Sequence, residues 1–171
     1  ESKDKYNYVY SPSQEIISMD CIKDVANIIN NAKRPVLIVG QGCNDSYRQL
    51  REFAYKASIP VTTTIHGIGI FDETHPLSLQ FLGMHGNVAA NYAVQDADVI
   101  INIGSRFDDR TTGNVAKYAP EAYKAYNENR GGIVHVNINP DEINKNVNSH
   151  FNFQMNADTF LRNIYEYIKI E

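Results

Sequence analysis

The sequence has few cysteines and no long apolar run. Cys21 and Cys43 are the only two cysteines, and they form neither a Cys-x-x-Cys pair nor a disulfide-dense pattern. This fits a reducing compartment, so we expect a protein that is not secreted. The longest apolar stretches, such as residues 36–39, are far shorter than a bilayer span, which argues against a membrane protein.

The chain also lacks a basic patch and the common catalytic motifs. Its 16 Lys and Arg residues against 20 Asp and Glu give a net charge of −4, and no basic run exceeds two residues. Nucleic acid is therefore not an expected partner. There is no Gly-x-Ser-x-Gly elbow and no Gly-x4-Gly-Lys phosphate loop. The five histidines form no His-x3-His pair, so we expect no metal site.

The 171 residues suffice for one domain with its own core. Residues 1–18 are polar and tyrosine-rich, which predicts a linker or an incoming arm. Tyr6, Tyr8 and Tyr10 alternate as a strand would, but we favour an arm that packs on a neighbour. We expect residues 19–171 to form the folded domain.

Helical and strand patterns alternate through this domain. Short apolar runs at 35–40, 59–65, 97–104 and 131–138 predict four buried strands, and residues 151–154 a short last strand. Helices are expected after Asp20, after residues 44–46, around residues 88–95 and after Asn156. Residues 75–84 are interpreted as a connection. The alternation predicts an α/β fold, a three-layer Rossmann-like parallel sheet flanked by helices.

Ligands of such sheets bind at the carboxyl ends of the strands. Gly40-Gln41-Gly42 follows the first strand and would let backbone N–H groups approach an anion. Asp45 stands where a dinucleotide motif has its third glycine, so an ordinary strand-to-helix turn is the favoured alternative. Arg106-Phe-Asp-Asp-Arg110 follows the third strand. Its arginines would bind a phosphate or carboxylate through two parallel N–H groups. Alternatively, its arginines and aspartates pair with one another as an ion cluster on the surface.

Three further side chains need an interpretation. His85 lies near the expected rim and is a candidate for ligand contact. His135 lies within a buried strand and is interpreted as a core histidine with its hydrogen bonds satisfied. Met84, taken alone, would be ordinary packing.

Six motifs in a fixed order closely resemble one family. They are Arg34-Pro-Val-Leu-Ile-Val-Gly40, Ile59-Pro-Val-Thr-Thr-Thr64, Leu82-Gly-Met-His-Gly86, Ala97-Asp-Val-Ile-Ile101, Gly104-Ser-Arg-Phe-Asp-Asp-Arg110 and Gly131-Gly-Ile-Val-His135. They resemble the central domain of the acetolactate synthase (acetohydroxyacid synthase) catalytic subunit, a thiamine-diphosphate enzyme. The likeness covers about residues 22–164, and the segment 127–132 resembles the longer fungal or eukaryotic form.

The resemblance implies an activity for a larger parent enzyme. The family condenses two pyruvates, or pyruvate with 2-oxobutyrate, with loss of CO₂ in branched-chain amino-acid biosynthesis. Thiamine diphosphate and Mg²⁺ would be bound by flanking domains that these residues do not include, whereas FAD would bind the central domain without a net redox role. Implied partners are the flanking domains, further copies in a homodimer or tetramer, and a regulatory subunit. The implied compartment is mitochondrial for a fungal source and otherwise cytoplasmic.

The resemblance also assigns residues. The FAD contacts it implies are Gly40, Gln41, Gly42, Thr64, Ile65, Leu82, Gly83, Met84, His85, Gly104, Ser105, Arg106, Asp108, Arg110, Asn137 and Ile138. Met84, Asp109 and Arg110 would also face the substrate channel, and no catalytic residue or metal ligand falls in this chain. We therefore expect no synthase activity from these residues alone.

Three departures from the family pattern predict weaker FAD binding. Asn137 replaces an acidic residue, Met155-Asn156 replaces Gly-Asp and would crowd the adenine, and the loop after Gly42 is shorter than usual. Two alternatives stay open. One is the central domain of another thiamine-diphosphate enzyme, such as pyruvate oxidase or a 2-oxoacid decarboxylase. The other is a scaffold domain that has lost its flavin.

Overall fold

The computed structural model describes residues 6–9, 19–107 and 117–170, and in these ranges strands and helices alternate along the chain. The strands are β1 (Tyr6–Val9), β2 (Pro35–Val39), β3 (Val61–Thr63), β4 (Ser78–Phe81), β5 (Val99–Ile103), β6 (Gly132–Asn137) and β7 (Phe151–Gln154). The helices are α1 (Met19–Asn31), α2 (Tyr47–Ala57), α3 (Val88–Asp96), α4 (Pro120–Asn127) and α5 (Ala157–Tyr165). Short 3₁₀ turns follow β2, β3 and β6 at Gln41–Ser46, Ile65–Gly67 and Pro140–Glu142.

All seven strands form one parallel sheet, in the order β1-β7-β6-β5-β2-β3-β4. From β2 the chain moves outward through β3 to β4, and then it returns to the middle at β5 and moves the other way. The strand order therefore reverses between β2 and β5. At such a switch point the chain connections after the two strands run to opposite sides, and a crevice forms outside the carboxyl ends of the strands.

The core lies on both faces of this sheet. In β2, Leu37 and Val39 pack into a cluster with α1, α2 and α5, whereas Val36 and Ile38 pack into a second cluster with α3 and α4. This alternation follows from the two-residue period of a strand. It explains why the strand is apolar throughout, and it confirms the predicted three-layer α/β fold.

The four strands predicted with an apolar run are present, and so is the short strand at 151–154. The strand β4 was missed, because residues 75–84 were interpreted only as a connection. Its sequence Ser-Leu-Gln-Phe is short and mixed, and its pairing with β3 shifts register between Val61 and Thr63. Tyr6–Val9, within the segment expected to be a linker or arm, pairs in parallel with β7 at the edge of the sheet.

The amino ends of the strands are tied together by one buried carboxylate. Asp98 accepts hydrogen bonds from the backbone N–H groups of Lys33 (2.8 Å) and Arg34 (2.9 Å), just before β2. Its backbone carbonyl accepts from Gly132 N at the start of β6 (2.9 Å). Asp98 thus joins β2, β5 and β6 at the end of the sheet away from the crevice.

None of the helices in the described ranges is long and apolar enough to cross a membrane.

Candidate cofactor cleft at the carboxyl edge of the sheet

A cleft of about 1350 Å³ lies across the carboxyl ends of five neighbouring strands. The loops after β6, β5, β2, β3 and β4 contribute to its walls, so it is centred on the switch point. Its lining residues are Gln41, Gly42, Thr64, Ile65, His66, Phe81, Leu82, Gly83, Met84, His85, Gly104, Ser105, Arg106, Asn137, Asn139, Glu142, Lys145 and Asn146. Four strand spacings of roughly 4.8 Å make the row about 19 Å wide. The volume exceeds the roughly 300–1000 Å³ of a pocket for a compact ligand, so the cleft suits an extended one.

The loops after β2 and β5 form the floor of the cleft by packing backbone on backbone. Gly42 N donates to the carbonyl of Gly104 (3.1 Å), and Gly40 N donates to the carbonyl of Ile103 (3.0 Å). A Cβ on Gly40 would lie 2.4 Å from the Gly104 carbonyl oxygen. The glycines are therefore required by contact between two loops. Their N–H groups are already used within the protein, which differs from our sequence-based picture of N–H groups that face an anion.

The loops after β3 and β4 form the opposite wall. Thr64 N donates to Val39 O (2.9 Å), which ties the β3 loop to β2. The turn at Gly83, with a φ of 122°, is held by Asn91 of α3, whose side chain accepts from Gly83 N (3.3 Å) and donates to Gly83 O (3.0 Å). Beside these fixed turns, the side chains of Ile65 and Met84 project with 62% and 73% of their surface exposed. This wall therefore presents exposed apolar side chains beside the polar Thr64, His66 and His85.

The loop after β5 brings a cation to the cleft. Arg106 is exposed on the cleft between Ser105 and Phe107, which are both buried. The carbonyl of Ser105 accepts from His135 Nε2 (2.8 Å), Asn102 Nδ2 (3.2 Å) and Asn137 Nδ2 (3.3 Å). Three buried side chains thus share one acceptor directly before the arginine.

His135 is held in its neutral form at this position. Burial lowers its pKa from 6.5 to about 4, although the bond to Ser105 and the charge of Glu142 act in the opposite direction. A carbonyl can only accept, so Nε2 carries the proton and Nδ1 does not. Within the described part of the chain Nδ1 has no hydrogen-bond partner. The interpretation of His135 as a core histidine is correct for its burial but wrong for its hydrogen bonds, of which only one is made.

The loop after β6 supplies a polar wall, of which the predicted FAD contacts include only Asn137. Asn139, Glu142, Lys145 and Asn146 line the cleft here, and Lys145 Nζ lies 3.6 Å from Glu142 Oε1. Asn139 caps the short 3₁₀ turn by accepting from Asp141 N (3.0 Å). The available signal was position alone, because these residues follow a strand whose carboxyl end faces the crevice.

Most of the predicted site residues lie together in the cleft. Two do not line it: Gly40 lies beneath the floor, and Ile138 is exposed beyond the rim. Asp108, Asp109 and Arg110 fall outside the described residues. Met155, which was expected to crowd an adenine, is buried in the core cluster with α1, α2 and α5 and does not line the cleft.

Two other functional signals give no second site. Cys43 is buried, its Sγ donates to Ile103 O (3.4 Å), and burial raises its pKa to about 12. The reactive form of cysteine is the thiolate, and this thiol stays protonated, so its role is to pack in the core. Among the residues that the structure describes, no group of three or more His, Cys, Asp or Glu side chains is placed to hold a metal ion.

Fold and cleft together define a class: an open parallel α/β domain whose ligand cleft lies at a topological switch point. The chain belongs to the family described as thiamine pyrophosphate enzyme, central domain, whose model matches residues 22–164. It is 49% identical over 158 residues to the mitochondrial acetolactate synthase catalytic subunit of Saccharomyces cerevisiae, which covers 91% of this chain. It is 53% identical over 129 residues, 74% of the chain, to the mitochondrial acetolactate synthase catalytic subunit of Aspergillus candidus.

The similarity extends to bacteria. The acetolactate synthase large subunit of Buchnera aphidicola is 42% identical over 149 residues, 86% of this chain. The chain spans only 23%, 19% and 24% of the length of these three relatives. The resemblance to acetolactate synthase inferred from the six motifs is thereby confirmed for this domain.

Proposed function

We propose that the chain is the central domain of an acetolactate synthase and that its cleft holds FAD. The observation that carries the proposal is the order of chemistry along the cleft. Polar side chains of the β6 loop lie at one end, and Arg106 follows beside them. The exposed apolar side chains of Ile65 and Met84 lie at the other end, with His66 and His85 next to them. FAD has the same order of parts: a polar adenosine, an anionic diphosphate and a flat apolar ring system.

Each part of the cleft would meet one part of the cofactor. The side chain of Asn139 would offer hydrogen bonds to ribose and adenine. Asn137 would lie near the adenosine and hold this wall in place, because its amide already bonds Ser105 O and Asn139 N. The fork of Arg106 would pair with the diphosphate, since guanidinium groups bind phosphate oxygens with good geometry. Leu82, Met84 and Ile65 would pack on the flavin ring. Asp108 and Arg110 would complete the diphosphate and ribityl contacts, and Met84, Asp109 and Arg110 would border the substrate channel.

The parent enzyme would condense two pyruvates, or pyruvate with 2-oxobutyrate, and release CO₂. Thiamine diphosphate with Mg²⁺, bound by flanking domains, would supply the carbanion chemistry, and FAD would have no net redox role. The parent would assemble from several catalytic subunits and a regulatory subunit. For a fungal source it would work in mitochondria, which is the location printed in the names of the fungal relatives.

Two alternatives remain to be tested. The relatives reported above support acetolactate synthase over pyruvate oxidase or a 2-oxoacid decarboxylase, because each of them is named an acetolactate synthase. Assay of the parent enzyme with pyruvate, thiamine diphosphate, Mg²⁺ and FAD separates these reactions by product. Acetolactate is expected from the parent and none from this chain alone. The second alternative, a domain without flavin, is tested by titration.

Calorimetric titration of the chain with FAD should give one site. Arg106→Ala should weaken binding by about tenfold to a hundredfold, the effect of one lost charge-assisted bond of roughly 1.5–3 kcal/mol. Arg162→Ala is the matched control, because Arg162 is paired with Asp158 on the exposed side of α5 and should leave the affinity unchanged. FMN should bind more weakly than FAD, since it leaves the β6 end of the cleft empty. No binding by the wild-type chain would favour the scaffold.

A further inference from the structure

Asn102, His135 and Asn137 are polar side chains within strands that are otherwise apolar. Asn102 of β5 and His135 of β6 are cross-strand partners, and both are fully buried. Their shared hydrogen-bond acceptor is the carbonyl of Ser105, which Asn137 also reaches. In the part of the chain that the structure describes, Asn102 Oδ1 and His135 Nδ1 have no partner. A core built only for stability would have apolar side chains here, because an unpaired buried polar atom is unfavourable.

The backbone that these side chains hold contains one strained residue. Gly104 has a φ of 69°, which a glycine adopts without strain, whereas Phe107 has a φ of 51°. A bulky residue in the left-handed region persists only where its surroundings determine its position. Phe107 is buried, and its ring meets the edge of His135 at a centroid distance of 5.0 Å and Tyr118 at 6.0 Å.

We propose that His135 is the main positioning residue of the Ser105–Phe107 turn, and that Asn102 and Asn137 support the turn through further hydrogen bonds to the same carbonyl. Its Nε2–H makes the shortest of the three bonds to the Ser105 carbonyl, and its ring supports Phe107. These two contacts lie on either side of Arg106 and hold the backbone from which its side chain enters the cleft. A loop with the same residues but without this support would sample other backbone conformations and present the cation less often. The part of the inference that concerns affinity rests on the proposed binding of FAD, whereas the part that concerns the turn does not.

The experiment uses two substitutions that separate the two contacts of His135. His135→Phe keeps a ring beside Phe107 but removes the donor, and His135→Gln keeps an amide donor at about the position of Nε2. We expect His135→Phe to weaken FAD binding by about fivefold to tenfold, the effect of one neutral hydrogen bond. We expect His135→Gln to stay within about threefold of wild type.

His150→Phe is the matched control. His150 is a second buried histidine, and its Nδ1 accepts from Ile133 N (2.9 Å) at the other end of β6. Its loss should lower the thermal midpoint without changing the FAD affinity of the folded chain. If His135→Phe behaves in the same way, with a lower thermal midpoint but unchanged affinity, the inference is overturned.

A second measurement needs no flavin. Trypsin cleavage after Arg106, followed by mass spectrometry, reports how often the turn opens. We expect faster cleavage there in His135→Phe and not in His150→Phe. Asn137→Ala removes another hydrogen bond to the Ser105 carbonyl and should also speed cleavage after Arg106. This variant replaces His135→Phe in the experiment if His135→Phe does not fold. Unchanged cleavage in both would contradict the positioning role. Failure of the wild-type chain to bind FAD, with faster cleavage in the variants, would instead refute only the flavin assignment.

Discussion

Gly42 and Gly104 lie in direct backbone contact at the point where the sheet reverses. A Cβ on Gly42 would come 2.7 Å from the Cα of Gly104, and a Cβ on Gly104 would come 2.8 Å from the Cα of Gly42. The loops after β2 and β5 therefore interlock, and the floor of the cleft cannot separate there without breaking the bond from Gly42 N to Gly104 O. The crevice that the topology provides is closed at its base by two residues without side chains.

Gly104→Ala should damage this floor. The new methyl group would clash with backbone, and alanine at a φ of 69° is strained, so we expect a loss of about 2–4 kcal/mol in the free energy of unfolding and weaker FAD binding. Gly69→Ala is the control, because Gly69 has a φ of 93° but open space round its Cβ. It should lose about 1–2 kcal/mol from backbone strain alone and keep the affinity. Equal losses in urea unfolding for the two variants would contradict the interlocking.

Asp98→Ala should lower stability without affecting the cleft. It leaves the N–H groups of Lys33 and Arg34 without their carboxylate, so we expect a loss of roughly 2–3 kcal/mol in urea unfolding. Asp158→Ala removes an exposed pair with Arg162 and should change stability by less than about 0.5 kcal/mol. FAD affinity should be the same in both, because both sites lie away from the cleft. A weaker affinity in Asp98→Ala alone would show that the two ends of the sheet are coupled.

Stability should fall at acid pH through His135. Its pKa is 6.5 when exposed and about 4 when buried, so the unfolded chain binds this proton more readily. Above pH 6.5 His135 is neutral in both states, so its contribution to the free energy of unfolding is fully present. As the pH falls from 6.5 to about 4, this contribution is lost by up to about 1.4 kcal/mol per pH unit. His135→Phe should lack this component when unfolding is measured between pH 4 and 8. An identical pH dependence in wild type and variant would refute it.

The two cysteines should differ in reactivity. Cys43 is buried with a pKa raised to about 12, and Cys21 is half-buried on α1. Alkylation of the native chain with iodoacetamide at pH 8 should therefore modify Cys21, and Cys43 should react only in denaturant. Peptide mass spectrometry distinguishes the two. Modification of native Cys43 at the rate of Cys21 would show that the turn after β2 opens readily.

Much of the fold could be predicted because its signals are local. The run Val-Leu-Ile-Val of β2 is apolar on both faces, and only a central strand of a layered sheet requires that. β4 could not be predicted in the same way, since Ser-Leu-Gln-Phe is short and half-exposed at the sheet edge, where pairing with β3 decides its conformation.

The site was predicted less completely than the fold. The structure brings Leu82–His85 and Ser105–Arg106 together at one cleft, as the strand-end rule predicts, and their contact with FAD stays a prediction. The sequence could not show that only one ring nitrogen of His135 makes a hydrogen bond, because its partner is a backbone carbonyl 30 residues away. The use of the Gly42 N–H by Gly104 is likewise a contact between distant loops. Such backbone partners depend on how strands are ordered, and residue types alone do not reveal them.

A crystal structure of the chain grown with FAD tests the central claim most directly. We predict density for one FAD across the carboxyl ends of the strands, with its diphosphate against Arg106, its adenine toward Asn139 and its flavin ring against Met84. Crystals grown with excess FAD in which the flavin lies elsewhere, or in which the cleft holds only solvent, would contradict the account.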